Sequence, residues 1–91
     1  MDLKLKNKNA LVCASSEGLG KAAAIELAKE GANLMICSRN EKKLTETFDA
    51  IKEISDSKVS MMMADLSDSE DLDKLHKTSV LELGPIDILV N

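Results

Sequence analysis

Residues 13–20 read Cys-Ala-Ser-Ser-Glu-Gly-Leu-Gly, CASSEGLG, between an apolar run (Ala10-Leu11-Val12) and a helix-forming stretch (Lys21-Ala22-Ala23-Ala24-Ile25-Glu26-Leu27). A short continuous apolar run reads as a strand buried on both faces. The glycine pair then marks a tight turn into a helix. Such a junction has two readings. It is an ordinary strand-to-helix turn, or it is a phosphate cradle, because the first-turn amides of a helix lack intrahelical partners and its dipole favours negative charge. Gly18 and Gly20 leave the backbone room to approach an anion, and Ser15 and Ser16 add hydroxyl donors. The stretch is neither G-x-G-x-x-G nor a P-loop, since no Gly-Lys-Ser/Thr follows.

The same alternation repeats outward from the loop. Asn9–Ala14 is the first strand, and Gly20, Ala23, Ala24, Leu27, Ala28 and Gly31 follow helical spacing, with Gly31 as the stop. Leu34–Cys37 is a second strand, and a helix from about Glu41 carries Leu44, Phe48 and Ile51 on one stripe. Lys58–Ala64 is a third strand, in which Met61–Met63 read as gap-filling core. Ser67-Asp68-Ser69-Glu70 has the form of a capping box, opening a helix with Leu72, Leu75, Ser79 and Leu83 on its apolar side. Gly84-Pro85 ends that helix and Ile86–Val90 is a fourth strand. The order β-α-β-α-β-α-β calls for an α/β fold with a parallel sheet and right-handed crossovers. No linker or repeat divides the chain.

Bulk composition narrows the function. The chain has 91 residues, 44% of them apolar, with one Phe and neither Trp nor Tyr, so the core is aliphatic and methionine-filled. A net charge of −4 with both signs interspersed disfavours nucleic acid, which needs a basic stripe. The longest apolar run, Ala10 to Ala14, is five residues, too short for a membrane span or a secretory signal. Cys13 and Cys37 have no zinc-type spacing and only His76 to join them; they read as reduced, small apolar residues on neighbouring strands of a cytoplasmic protein. The acidic stretch Asp65–Asp73 lacks the spacing and glycine of an EF-hand loop.

On these motifs the whole chain resembles the N-terminal part of the short-chain dehydrogenase/reductase family. That family's cofactor loop runs Thr-Gly-x-x-x-Gly-x-Gly, and CASSEGLG matches its length and both later glycines, departing at Cys13 and Ala14. A methyl group at Ala14 disfavours positive φ, so the loop can sit differently. Ala64-Asp65-Leu66-Ser67 resembles the family's Asp-Val/Leu pair that holds the adenine ring. The tail GPIDILVN, 84–91, resembles the approach to its Asn-Asn-Ala-Gly motif, with Asn91 as the first asparagine. The resemblance implies a Rossmann-type sheet of strand order 3-2-1-4, residues 1–91 forming the N-terminal half of a doubly wound fold. It implies cofactor contacts from Ala14, Ser15, Ser16, Glu17, Gly18, Leu19, Gly20, Ser38, Arg39, Asp65, Leu66 and Asn91.

Ser38 stands where NAD-preferring relatives carry an acid for the ribose 2′-hydroxyl, and Arg39 follows it. A guanidinium there forks onto a 2′-phosphate, which favours NADP over NAD, although Glu17 opposes it where many NADP-using relatives are basic. Arg39 reads otherwise as a solvated loop charge, and Asp65 otherwise as a helix-start carboxylate.

The family's catalytic tyrosine, lysine and serine and its second asparagine fall beyond Asn91, and this chain holds no tyrosine. The halt inside a motif leads us to expect the opening portion of a longer oxidoreductase. That enzyme would act on a small-molecule carbonyl/alcohol pair, a 3-oxoacyl thioester or a sugar, as a homo-oligomer. A non-catalytic nucleotide-binding module and an inert structural fragment are the alternatives.

Overall fold

The computed structural model describes residues 5–13 and 18–90, with Leu19 by its backbone alone. Its elements run β1 (Asn9–Cys13), α1 (Gly18–Lys29), β2 (Asn33–Ser38), α2 (Glu41–Ile54), β3 (Val59–Met63), α3 (Ser69–Leu83) and β4 (Ile88–Val90). The four strands form one parallel sheet of order β3-β2-β1-β4, the order the sequence resemblance implies. From β1 the chain steps outward twice on one side, then returns through α3 to the other side of β1. In open α/β sheets such a reversal of strand order marks the ligand-binding crevice, outside the strand C-termini.

Burial follows position in the sheet. The central strands β1 and β2 are buried at every position after the first, as their unbroken apolar runs require. One face packs Ala10, Val12, Leu34, Ile36 and Val59 against Ala24 and Ala28 of α1 and Leu44 and Ile51 of α2. The other face packs Leu11, Cys13, Met35 and Cys37 against Ala64 and Leu75 of α3. The edge strand β3 departs from the expectation of a methionine core: Met61 and Met63 are 41% and 52% exposed, and only Met62 is held in the α3-side cluster. A neighbour on one side only leaves long side chains of an edge strand open to solvent.

Each helix has a local reason for its limits. In α1 the small residues Ala24 and Ala28 let the backbone lie against the sheet. Gly31, at φ +88, turns the chain directly back into β2, and a Cβ there would meet the Lys6 backbone at 3.3 Å. Asn40 caps α2, its side chain accepting from the Lys43 amide at 3.0 Å. On α2 the buried stripe is Leu44, Thr47 and Ile51, with Phe48 only partly buried. Thr47 is tolerated inside because its hydroxyl donates to the Lys43 carbonyl at 3.1 Å.

The cap of α3 sits one residue later than the capping-box pattern predicts. Asp68 accepts from the Glu70 amide at 2.9 Å, while the Ser67 hydroxyl donates to Asp65. Both residues are competent caps, and the turn closed by Asp65 draws Ser67 away. On α3 Leu75 and Ser79 are buried, whereas Leu72, expected on the apolar stripe, is 47% exposed. Among the described residues no helix is long and apolar enough to cross a membrane.

A polar ladder runs along the N-terminal rim of the sheet. The Lys58 amide donates to Asn33 Oδ1 at 3.2 Å, and Asn33 Nδ2 donates to Asn9 Oδ1. Asn9 Nδ2 donates to the carbonyls of Leu83 (3.0 Å) and Pro85 (2.9 Å), and its amide donates to Asp87 at 2.9 Å. The asparagines thereby fasten the approaches to all four strands at the rim opposite the crevice.

Candidate functional site

The C-terminal rim gathers most of the residues singled out from sequence. β1 delivers the chain to the glycine loop, and α1 starts at Gly18. Gly18 has φ +37, a conformation L-residues with side chains rarely adopt, and among the described residues beyond its chain neighbours no atom lies within 4 Å of where its Cβ would stand. The first turn of α1 contains no acidic residue, and the positive end of its helix dipole favours an anion. Gly18 is exposed and Gly20 partly buried. Ala14, Ser15, Ser16 and Glu17 lie outside the described residues, as does Asn91, so the expected loop and fourth-strand contacts stand as sequence readings.

The second part of the site is an open cleft of about 760 Å³ lined by Ser38, Arg39, Asn40, Ala64, Asp65, Leu66 and Ser67. It joins the ends of β2 and β3, which the Ala64 amide ties together by donating to the Ser38 carbonyl at 3.1 Å. Ser38 is buried at 8% exposure, and its Oγ accepts from the Asn40 amide at 3.1 Å, fixing the turn that leads into α2. Arg39 is exposed at the mouth.

Across the cleft, Asp65 Oδ1 accepts from the Ser67 hydroxyl at 2.7 Å and from the Ser67 amide at 2.9 Å. The Asp65 amide donates to Asp71 Oδ2 at 2.9 Å. The two Ser67 hydrogen bonds hold the Asp65 carboxyl below its ordinary range, and the nearby Arg39 guanidinium acts in the same direction. Asp65 is therefore ionised at neutral pH and oriented by its neighbours.

The cleft thus sets a guanidinium beside a buried hydroxyl on one wall and a fixed carboxylate on the other. Such walls suit a ligand with an anionic group toward β2 and a hydrogen-bond donor toward β3. Of the sequence-predicted residues, Ser38, Arg39, Asp65 and Leu66 line this one space. Asn40, Ala64 and Ser67, which also line it, were not among the site residues expected from sequence. Asn40 immediately before Glu41 was a legible cap signal, but which loops converge is a matter of topology. Among the described residues no cluster of three or more potential metal ligands occurs, and His76 is an exposed helix residue.

The family model for short chain dehydrogenases matches residues 8–91. The chain is 34% identical over 88 residues to dehydrogenase/reductase SDR family member 4 of Caenorhabditis elegans, covering 97% of this chain and 34% of that protein. The glucose dehydrogenase of Caenorhabditis elegans, solved in its apo form, superposes with a TM-score of 0.90 at 33% identity, over 97% of this chain and 38% of that one. The actinorhodin polyketide ketoreductase solved with NADPH gives 0.88 at 28% identity, over all of this chain and 34% of that one. The chain spans about a third of the length of the curated relative it matches. With residues 8–91 matched by the family model and the sheet in the order β3-β2-β1-β4, the chain belongs to the short-chain dehydrogenase family.

Proposed function

We propose that these residues are the N-terminal, dinucleotide-binding half of the Rossmann domain of an NADP(H)-dependent oxidoreductase acting on a carbonyl/alcohol pair. The observation that carries the cofactor choice is the cleft wall at the end of β2, which presents Ser38 and Arg39 and, among the described residues, no acid. An acid there would repel a 2′-phosphate, whereas a guanidinium pairs with it. The family match supports the reaction class, and the named glucose dehydrogenase and ketoreductase support a sugar or oxoacyl type of substrate.

In this reading the bound dinucleotide supplies the hydride. The amides around Gly18, Leu19 and Gly20, with Ala14, Ser15, Ser16 and Glu17, surround its pyrophosphate. Ser38 and Arg39 take the 2′-phosphate, Asp65 and Leu66 flank the adenine, and Asn91 stands near the nicotinamide side. The proton donor lies outside these residues, none of which is a tyrosine. We extend the proposal to a cytoplasmic homo-oligomer, which sedimentation of the full-length protein tests.

Titration of the full-length Arg39→Ala variant with NADPH and NADH tests the cofactor assignment. Loss of a charge-assisted contact weakens NADPH roughly ten-fold or more, with NADH little changed. Equal losses for both cofactors reject it.

A further inference from the structure

Cys13 and Cys37 are register partners on the adjacent parallel strands β1 and β2. Both belong to the cluster beneath α3, so both side chains leave the sheet on the same face. Neighbouring strands run about 4.8 Å apart, inside the Cα separation of roughly 4.4–6.8 Å that a disulfide spans. Neither cysteine is in a disulfide, and both are buried. Neither the packing nor the cofactor reading uses a thiol at either position. The hydrogen bond between the two draws Cys13 down from 9.0 to about 7, against the opposing effect of burial. A thiol that titrates near ambient pH combines thiolate population with nucleophilicity.

We propose that Cys13 and Cys37 form a redox-active dithiol that takes hydrogen peroxide as oxidant and closes to an intramolecular disulfide. A small oxidant is required, because Cys13 is 3% exposed and Cys37 is 0%. The Cys13 thiolate attacks one peroxide oxygen, the O–O bond breaks, and hydroxide leaves, giving a sulfenic acid at Cys13. Cys37 then attacks the Cys13 sulfur; the S–O bond breaks, the Cys37 proton joins the departing hydroxide, and water leaves. In total two thiols lose two electrons and two protons, and one peroxide becomes two waters. The pair lies at the C-terminal ends of β1 and β2, directly before Ser38 on β2, so the bridge would join those two strand ends.

The test treats the native full-length protein with hydrogen peroxide, blocks remaining thiols by alkylation and maps tryptic peptides. The expected result is peptide 9–21 linked to peptide 30–39, with both cysteines lost in parallel. Cys37→Ser should stop at a sulfenic acid on Cys13 that dimedone traps, and Cys13→Ser should leave Cys37 unreacted. Sulfinic acid on Cys13 without the linked peptide overturns the proposal. So does pairing of either cysteine elsewhere, or the absence of reaction in a sample whose folding circular dichroism verifies. Should a variant fail to fold, the wild-type peptide map decides alone. No nucleotide enters this readout, so its outcome is independent of the cofactor assignment.

Discussion

Asn33 Nδ2 donates to Oδ1 of Asn9, its register partner across β1 and β2, at 3.3 Å. The contact is the centre of a ladder that reaches Lys58 on one side and Leu83, Pro85 and Asp87 on the other. Stabilising polar groups therefore occupy one rim of the sheet and the candidate cofactor groups the other. Asn9→Ala removes the donor to two carbonyls and is expected to cost about 1–3 kcal/mol. Urea unfolding measures that cost, and dinucleotide affinity of the folded variant should stay the same.

Gly18 makes the opposite separation. Its φ of +37 strains any other L-residue by roughly 1–2 kcal/mol, while among the described residues beyond its chain neighbours nothing stands within 4 Å of its Cβ position. Gly18→Val should remain folded yet lose NADPH and NADH alike, because the side chain enters space proposed for the pyrophosphate. Calorimetric titration distinguishes this shared loss from the selective loss of Arg39→Ala. Unchanged binding of both would make the loop a plain turn.

Leu75 is the one fully buried large apolar side chain of α3 among the described residues. Leu75→Ala should destabilise the fold by about 2–5 kcal/mol through lost transfer energy and a cavity against Cys37 and Met35. Chemical denaturation reads this directly, and a cost below about 1 kcal/mol would mean that α3 packs less tightly than described.

Asp65 gives a pH signature. Its carboxyl is held below the ordinary value of 3.8 by hydrogen bonds from Ser67 and by Arg39. A depressed folded-state value means a stabilising contribution that is complete above the unfolded value and lost as pH falls through the folded one. Asp65→Asn should therefore be less stable than the parent at pH 7, with the gap closing below about pH 4. Urea midpoints across that range check the direction, and a gap that widens in acid contradicts it.

The alternation of apolar runs with periodic stretches made the element order legible, because β1 and β2 are buried on both faces and α1 and α2 carry regular stripes. Strand order came through the motif resemblance, since periodicity says nothing about which strands adjoin. Met61 and Met63 were misread as core because edge position is a property of the assembled sheet. Thr47 escaped the stripe of α2 because its hydroxyl is satisfied within its own helix, which polarity alone conceals; Ser79 bonds Leu75 in the same way at 2.6 Å. Ser67 and Asp68 offer equal caps in sequence, and only the Asp65 turn decides between them. Of the cleft's lining residues, Ser38, Arg39, Asp65 and Leu66 were named through the family resemblance and their place at strand ends, whereas Asn40 and Ser67 depend on how two loops approach each other.

Ala24 and Ala28 are 0% and 1% exposed, and the Ala28 carbonyl also accepts from the Ser55 hydroxyl at 2.9 Å. A single methylene added at either alanine has no vacancy to fill, so α1 must tilt like a lever about its crowded middle. Its leading amides would then swing off target. Selectivity and affinity for nucleotide can consequently drift through substitutions buried a turn or more from any atom of it.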